Sequence, residues 1–131
     1  MISTASEFVL LRQSDSREEY MRAASEEASV EVWFEVIEHY PDMCKWVAQN
    51  KTVPLSVLEV LSMSPDEGVR YAVAMKRKLN AQIFDRLARD SNESVRAAIA
   101  ANRKAPSELL SALACDPSPL VSSVARSRIA P

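Results

Sequence analysis

The sequence predicts an all-α fold, an α-solenoid of short helix pairs in a 26-residue repeat. Three observations predict it. Four stretches align at that spacing: Met43-Cys44-Lys45-Trp46-Val47-Ala48, Val69-Arg70-Tyr71-Ala72-Val73-Ala74, Val95-Arg96-Ala97-Ala98-Ile99-Ala100 and Val121-Ser122-Ser123-Val124-Ala125-Arg126. Within each aligned unit the apolar residues fall at i, i+3, i+4, the stripe of an amphipathic helix. No segment alternates strictly, and the chain has a single glycine, Gly68, so hairpins find few turn residues. A fixed period of this length means that each unit buries its apolar face only against its neighbours.

The elements follow in order. Ser6 to Leu11 reads as a cap helix, and Tyr20-Met21-Arg22-Ala23-Ala24 as the first helix of a degenerate unit. Trp33, Phe34 and Ile37 mark that unit's second helix; together these make residues 1–40 an N-terminal cap and degenerate repeat. Repeats are expected over 41–64, 65–90 and 91–116, with a C-terminal half-repeat over 117–131, all in one domain. First helices carry Val69, Ala72 and Val73, then Val95, Ala98 and Ile99; second helices carry Val57, Leu58 and Leu61, Ile83, Phe84 and Leu87, and Leu109, Leu110 and Leu113. Ser62, Ala88 and Ala114 let neighbouring helices approach closely. Pro65-Asp66, Ser91-Asn92 and Pro117-Ser118 stand where oxygen-bearing side chains cap free amides, and Pro54 and Pro106 stand where a helix tolerates proline. Either helix of a pair is open to partial 3₁₀ winding. In the last helix, 118–129, Ser122, Ser123, Ser127 and Arg128 are expected to be solvent-facing capping positions. Trp46 takes the column of Ala72 and Ala98 and is expected to fill core space.

Composition bounds the function. Of 131 residues, 47% are hydrophobic and 26% charged, a globular balance. Phe8-Val9-Leu10-Leu11 is too short for a membrane span or an export signal, so no membrane partner and a cytoplasmic location are expected. Cys44 and Cys115 form no C-x-x-C pair, and no disulfide framework or metal site is expected. Residues 1–64 carry five Lys/Arg and eleven Asp/Glu, a balance of −6; residues 65–131 carry eleven and seven, a balance of +4. Such polarity orients a charged partner.

The pattern Pro65-Asp66-Glu67-x-Val69-Arg70-x-Ala72-Val73-Ala74, followed by Ile83-Phe84-x-x-Leu87-Ala88-x-Asp90, resembles the leucine-rich repeat variant family, a relative of HEAT and armadillo repeats. It continues in Ser91-Asn92-Glu93-Ser94-Val95-Arg96, through Ser107-Glu108-Leu109-Leu110 to Asp116. The first half is also similar to small bacterial HEAT-repeat proteins of undefined role. The resemblance implies stacked α and 3₁₀ helices in a right-handed superhelix. Some members carry an iron–sulfur centre on an N-terminal cysteine cluster; no cysteine precedes Cys44, so no cofactor is carried over.

Two rows are candidate binding surfaces. The turns after the first helices read Asn50-Lys51-Thr52, Lys76-Arg77-Lys78 and Asn102-Arg103-Lys104. Packed helices lie about 8–10 Å apart, so Lys51, Lys76, Arg77, Lys78, Arg103 and Lys104 would form a basic ladder along one edge. Cations also suit helix C-termini without any ligand. The outer side of the second helices offers a mildly apolar concave face at Val60, Met63, Arg86, Arg89, Ala112 and Cys115. Arg70 and Arg96, with Asp90 and Asp116, are expected to form a structural network between units. His39 has no ligand set or nucleophile beside it, and Glu26, Glu27, Glu31, Glu35 and Glu38 read as a solvated face. The expectation is therefore a monomeric, non-catalytic protein–protein interaction module whose partner the sequence does not identify. The alternatives are nucleic-acid binding through the basic ladder, in which no aromatic residue interleaves for base stacking, and an inhibitor of the toxin-immunity type.

Overall fold

The computed structural model describes residues 1–129, and every regular element among them is helical. The chain divides into two compact units, Met1–Leu61 and Ser62–Pro131.

In the first unit, α1 (Ala5–Gln13), α2 (Arg17–Ser25) and α3 (Val30–His39) each start behind a hydroxyl cap: Thr4, Ser16 and Ser29 accept from Glu7, Glu19 and Val32 amides. A 3₁₀ turn, Pro41–Met43, leads into α4 (Cys44–Gln49), and α5 (Leu55–Leu61) follows. This turn is the one 3₁₀ segment among the described residues; the helices of the pairs themselves are α. The core gathers where α3 packs on α1, α4 and α5. Phe8 and Trp33 meet edge to face there at 5.1 Å, both fully buried, as are Val36, Val47 and Val57. Removing each such side chain from water contributes about 1.5–3 kcal/mol.

The second unit comprises α6 (Glu67–Ala74), α7 (Ala81–Ala88), α8 (Glu93–Ala101), α9 (Ser107–Leu113) and α10 (Pro119–Ile129). The apolar columns turn inward: Val69, Ala72 and Val73, Val95, Ala98 and Ile99, and Ile83, Phe84 and Leu87 are all buried. Asp66 caps α6 through the Gly68 amide at 2.8 Å, and Asn92 caps α8 through Ser94 and Val95. Ser118 departs from that pattern. Its hydroxyl donates to Glu93 Oε2 at 2.6 Å, as the Asn92 amide donates to Glu67 Oε2 at 2.7 Å. Ser122, expected to face solvent, is buried, because α10 packs on both α8 and α9.

Polar bonds fix both ends of these helices. Arg70 grips Asp90 with two parallel bonds, Nε to Oδ2 at 2.7 Å and Nη2 to Oδ1 at 3.2 Å, and donates a third to the Ser64 carbonyl. Arg96 repeats this toward Asp116 at 2.9 and 3.2 Å, its third bond reaching the Asp90 carbonyl. The carboxylates are nearly buried, and Asp90 holds the Arg70 guanidinium above its ordinary pKa. Burial of Asp116 works against its charge, but the bonds from Arg96 and the Ser118 amide overcome it and lower its pKa. At the opposite ends, Asn102 Nδ2 donates to the Ala74 and Lys76 carbonyls, just past α6. Arg128 does the same for Ala100 and Asn102, and as an exposed residue it is the solvent-facing cap expected of it.

Replacing Asp116 by Asn leaves the Arg96 charge poorly compensated and should lower stability by about 2–3 kcal/mol at neutral pH. The sign follows from the lowered pKa: the bond's contribution is present above the ordinary aspartate range and fades as pH falls below it. Urea unfolding at neutral and strongly acidic pH should therefore show the variant's deficit shrinking in acid. Asn102→Ala strands two carbonyls near the end of α6 and should cost about 1–3 kcal/mol in the same assay.

Candidate functional site

A cleft of about 260 Å³ opens in the second unit at the C-terminal ends of α6 and α8. Its apolar lining is Ala74, Met75, Ala98 and Ala101; Arg77 and Arg103 add the charge, and Asn102 completes it. The sequence makes this geometry in two steps. Alanines on the facing helices leave room that larger side chains would fill. The turns after α6 and α8 then bring one arginine each to the same cleft, at helix ends whose partial negative charge favours cations.

Those two arginines differ from the rest of the unit. Arg70, Arg86, Arg89, Arg96, Arg126 and Arg128 each meet a carboxylate, hydroxyl or carbonyl oxygen of the chain. The side chains of Arg77 and Arg103 make no hydrogen bond or ion pair among the described residues, and both are exposed. Lys78 and Lys104 are exposed on the same turns but lie outside the cleft lining. Lys76 departs from the expected ridge: it is half-buried, and burial pushes its ammonium pKa down. Lys51 belongs to the first unit, where its amide donates to the Ala24 carbonyl at 2.8 Å.

The other candidate row presents a different picture. Met63, Ala112 and Cys115 are exposed in the second unit, and Val60 is exposed in the first. Arg86 donates to the Ser62 hydroxyl at 2.9 Å, and Arg89 faces Asp85 at 3.4 Å. None of these residues lines the cleft. His39 is exposed in the last turn of α3. Glu27, Glu31, Glu35 and Glu38 are exposed, while Glu26 takes two bonds from Arg22, which lower its carboxyl pKa to about 2. No cluster of three or more His, Cys, Asp or Glu side chains suited to a metal exists among the described residues.

The first unit contains an equivalent groove that is filled. Asn50, one residue past α4, donates to the Ala23 carbonyl as Asn102, one residue past α8, donates to Ala74. That pairing matches Ala23, Ala24, Trp46 and Gln49 to Ala74, Met75, Ala98 and Ala101. The first set lines a remnant of about 50 Å³ together with Arg12 and Tyr20. The Arg12 guanidinium lies 3.5 Å from the Trp46 ring centre and 4.5 Å from that of Tyr20. Trp46 is thus half-exposed and stacked on a cation, not a core filler. Arg12 comes from α1, outside the repeating columns, and no periodic signal points to it.

Comparisons with family models, curated proteins and solved structures find no match. No helix among the described residues is long and apolar enough to cross a membrane.

Arg12→Ala should uncover the Trp46 ring, shifting tryptophan emission to longer wavelength. Its stability cost should be about 1 kcal/mol. Trp33, fully buried, should contribute no such shift.

Proposed function

We propose that this chain is a non-catalytic protein-interaction module, an α-solenoid of 26-residue helix pairs like those it resembles, and that the cleft at the ends of α6 and α8 is its docking site. One observation carries the reading: the two arginines of the second unit without an internal partner both line its cleft. Side chains used for stability are bonded to the chain; Arg77 and Arg103 remain available to another molecule. The repeated Arg–Asp and Asn–carbonyl bonds supply a rigid frame, and a rigid frame lowers the entropy lost on binding. The mechanism is complementarity of shape and charge. No nucleophile, metal cluster or acid–base pair enters it.

Affinity capture from native cell extract, with and without nuclease, tests the reading against Arg77→Glu/Arg103→Glu. The expected outcome is a protein partner that survives nuclease and binds the double variant at least about tenfold more weakly, as loss and reversal of interface charge require. Capture of nucleic acid, lost in the variant, would replace this reading with phosphate-backbone binding. Undiminished capture of the protein partner would remove the cleft as the site.

A further inference from the structure

We infer that the open cleft receives a glutamate side chain of its protein partner. The inference rests on the proposed interaction function and specifies what the docking site recognises. Its basis is the pair of equivalent grooves, one occupied and one open.

The occupied groove shows what kind of group enters. In the first unit one long side chain, Arg12, lies against the rings that line it, with an apolar stem and a planar charged end. Trp46 and Tyr20 stabilise that end through their ring faces. In the open cleft, Ala98 stands where Trp46 does, so the space is larger and the aromatic face is gone. The charge preference reverses as well, because Arg77 and Arg103 flank the cleft and no acidic residue lines it. An incoming cation would be repelled there. An incoming carboxylate meets two guanidinium groups, each able to donate two parallel bonds. The methyl group of Ala101, an exposed residue, and the Met75 side chain, 60% exposed, suit the methylene stem of glutamate. A nucleic acid fits less well, since no ring lines the cleft for a base to stack on.

The test uses the full chain, isotope-labelled for NMR, and three probes: a short leucine-flanked peptide with one central glutamate, the same peptide with glutamine, and an oligothymidine. The glutamate peptide should bind at least about tenfold more tightly than the glutamine peptide, as expected for charge-assisted bonds. It should shift the amides of Arg77, Ala101 and Arg103. Ala101→Trp, at an exposed position, closes the cleft without changing net charge and should abolish those shifts. Arg77→Gln/Arg103→Gln should remove the preference for glutamate while leaving the thermal unfolding midpoint near that of the parent. Equal binding of the two peptides, or binding of neither, overturns the carboxylate inference. The interaction reading then still stands or falls on capture from extract. Glutamate binding that survives Ala101→Trp overturns the placement in the cleft. Tighter binding of oligothymidine than of the glutamate peptide overturns the partner class.

Discussion

The second unit depends on one interaction, the bidentate bond from an arginine early in a first helix to the aspartate that closes the same helix pair. Arg70 holds Asp90, and Arg96 holds Asp116. Asp90 joins the two: its carboxylate takes Arg70, its Oδ1 accepts the Asn92 amide that leads into α8, and its carbonyl takes Arg96. Asp116 likewise accepts from the Ser118 amide ahead of α10. Each bond therefore fixes where a pair ends and where the next helix starts. Two well-shaped charge-assisted bonds offset the desolvation of a nearly buried carboxylate, whereas a single exposed ion pair contributes little. Glu67 and Glu93 add smaller ties at the same end, through Asn92 and Ser118.

The opposite end is held by bonds to helix-end carbonyls, from Asn102 behind α6 and from Arg128 behind α8. Helix C-termini present carbonyls without intrahelical partners. Asn102 satisfies two of them near the end of α6, and Asn50 reaches two carbonyls of the first unit by the same geometry. An asparagine turned inward sends the next residue outward. Arg103 is therefore exposed because Asn102 is buried, and Arg77 is exposed one position after the half-buried Lys76. The solvent-facing arginines are a consequence of the capping register. Their position beside a patch of alanines is a separate feature, set by small residues on both helices.

Much of the helical pattern was legible because it is local. The i, i+3, i+4 columns at 69, 72 and 73 and at 95, 98 and 99 are buried as read, and Asp66 and Asn92 cap the helices they precede. The Arg–Asp bonds were legible because the residue types recur at one spacing. What escaped is non-local or volumetric. Arg12 stacks on Trp46 from far along the chain, so nothing near Trp46 reveals its partner, and a tryptophan in an alanine column read as core. Ser122 occupies the column of Arg70 and Arg96 but is buried by the packing of α10, which its own polarity does not announce. Of the basic turns, the charge pattern showed six candidates. It could not distinguish Arg77 and Arg103, which line a cavity, from Lys78 and Lys104, which do not.

A cavity is a deficit of volume, and an alanine on a packed face looks the same in sequence whether its neighbours fill the space or leave it open. The two grooves make the difference concrete. With Trp46 in one wall and Arg12 reaching across it, the groove shrinks to about 50 Å³; with Ala98 at the equivalent position it holds about 260 Å³. The same asparagine-to-carbonyl bonding thus occurs at both grooves while single side chains decide how much space each leaves. The charge on the lining of the open cleft comes from Arg77 and Arg103, which the capping register turns outward and whose side chains bond nothing in the frame. The Arg–Asp bonds that hold the unit and the arginines that charge the cleft belong to different residues, so a change at Arg77 or Arg103 leaves those bonds intact.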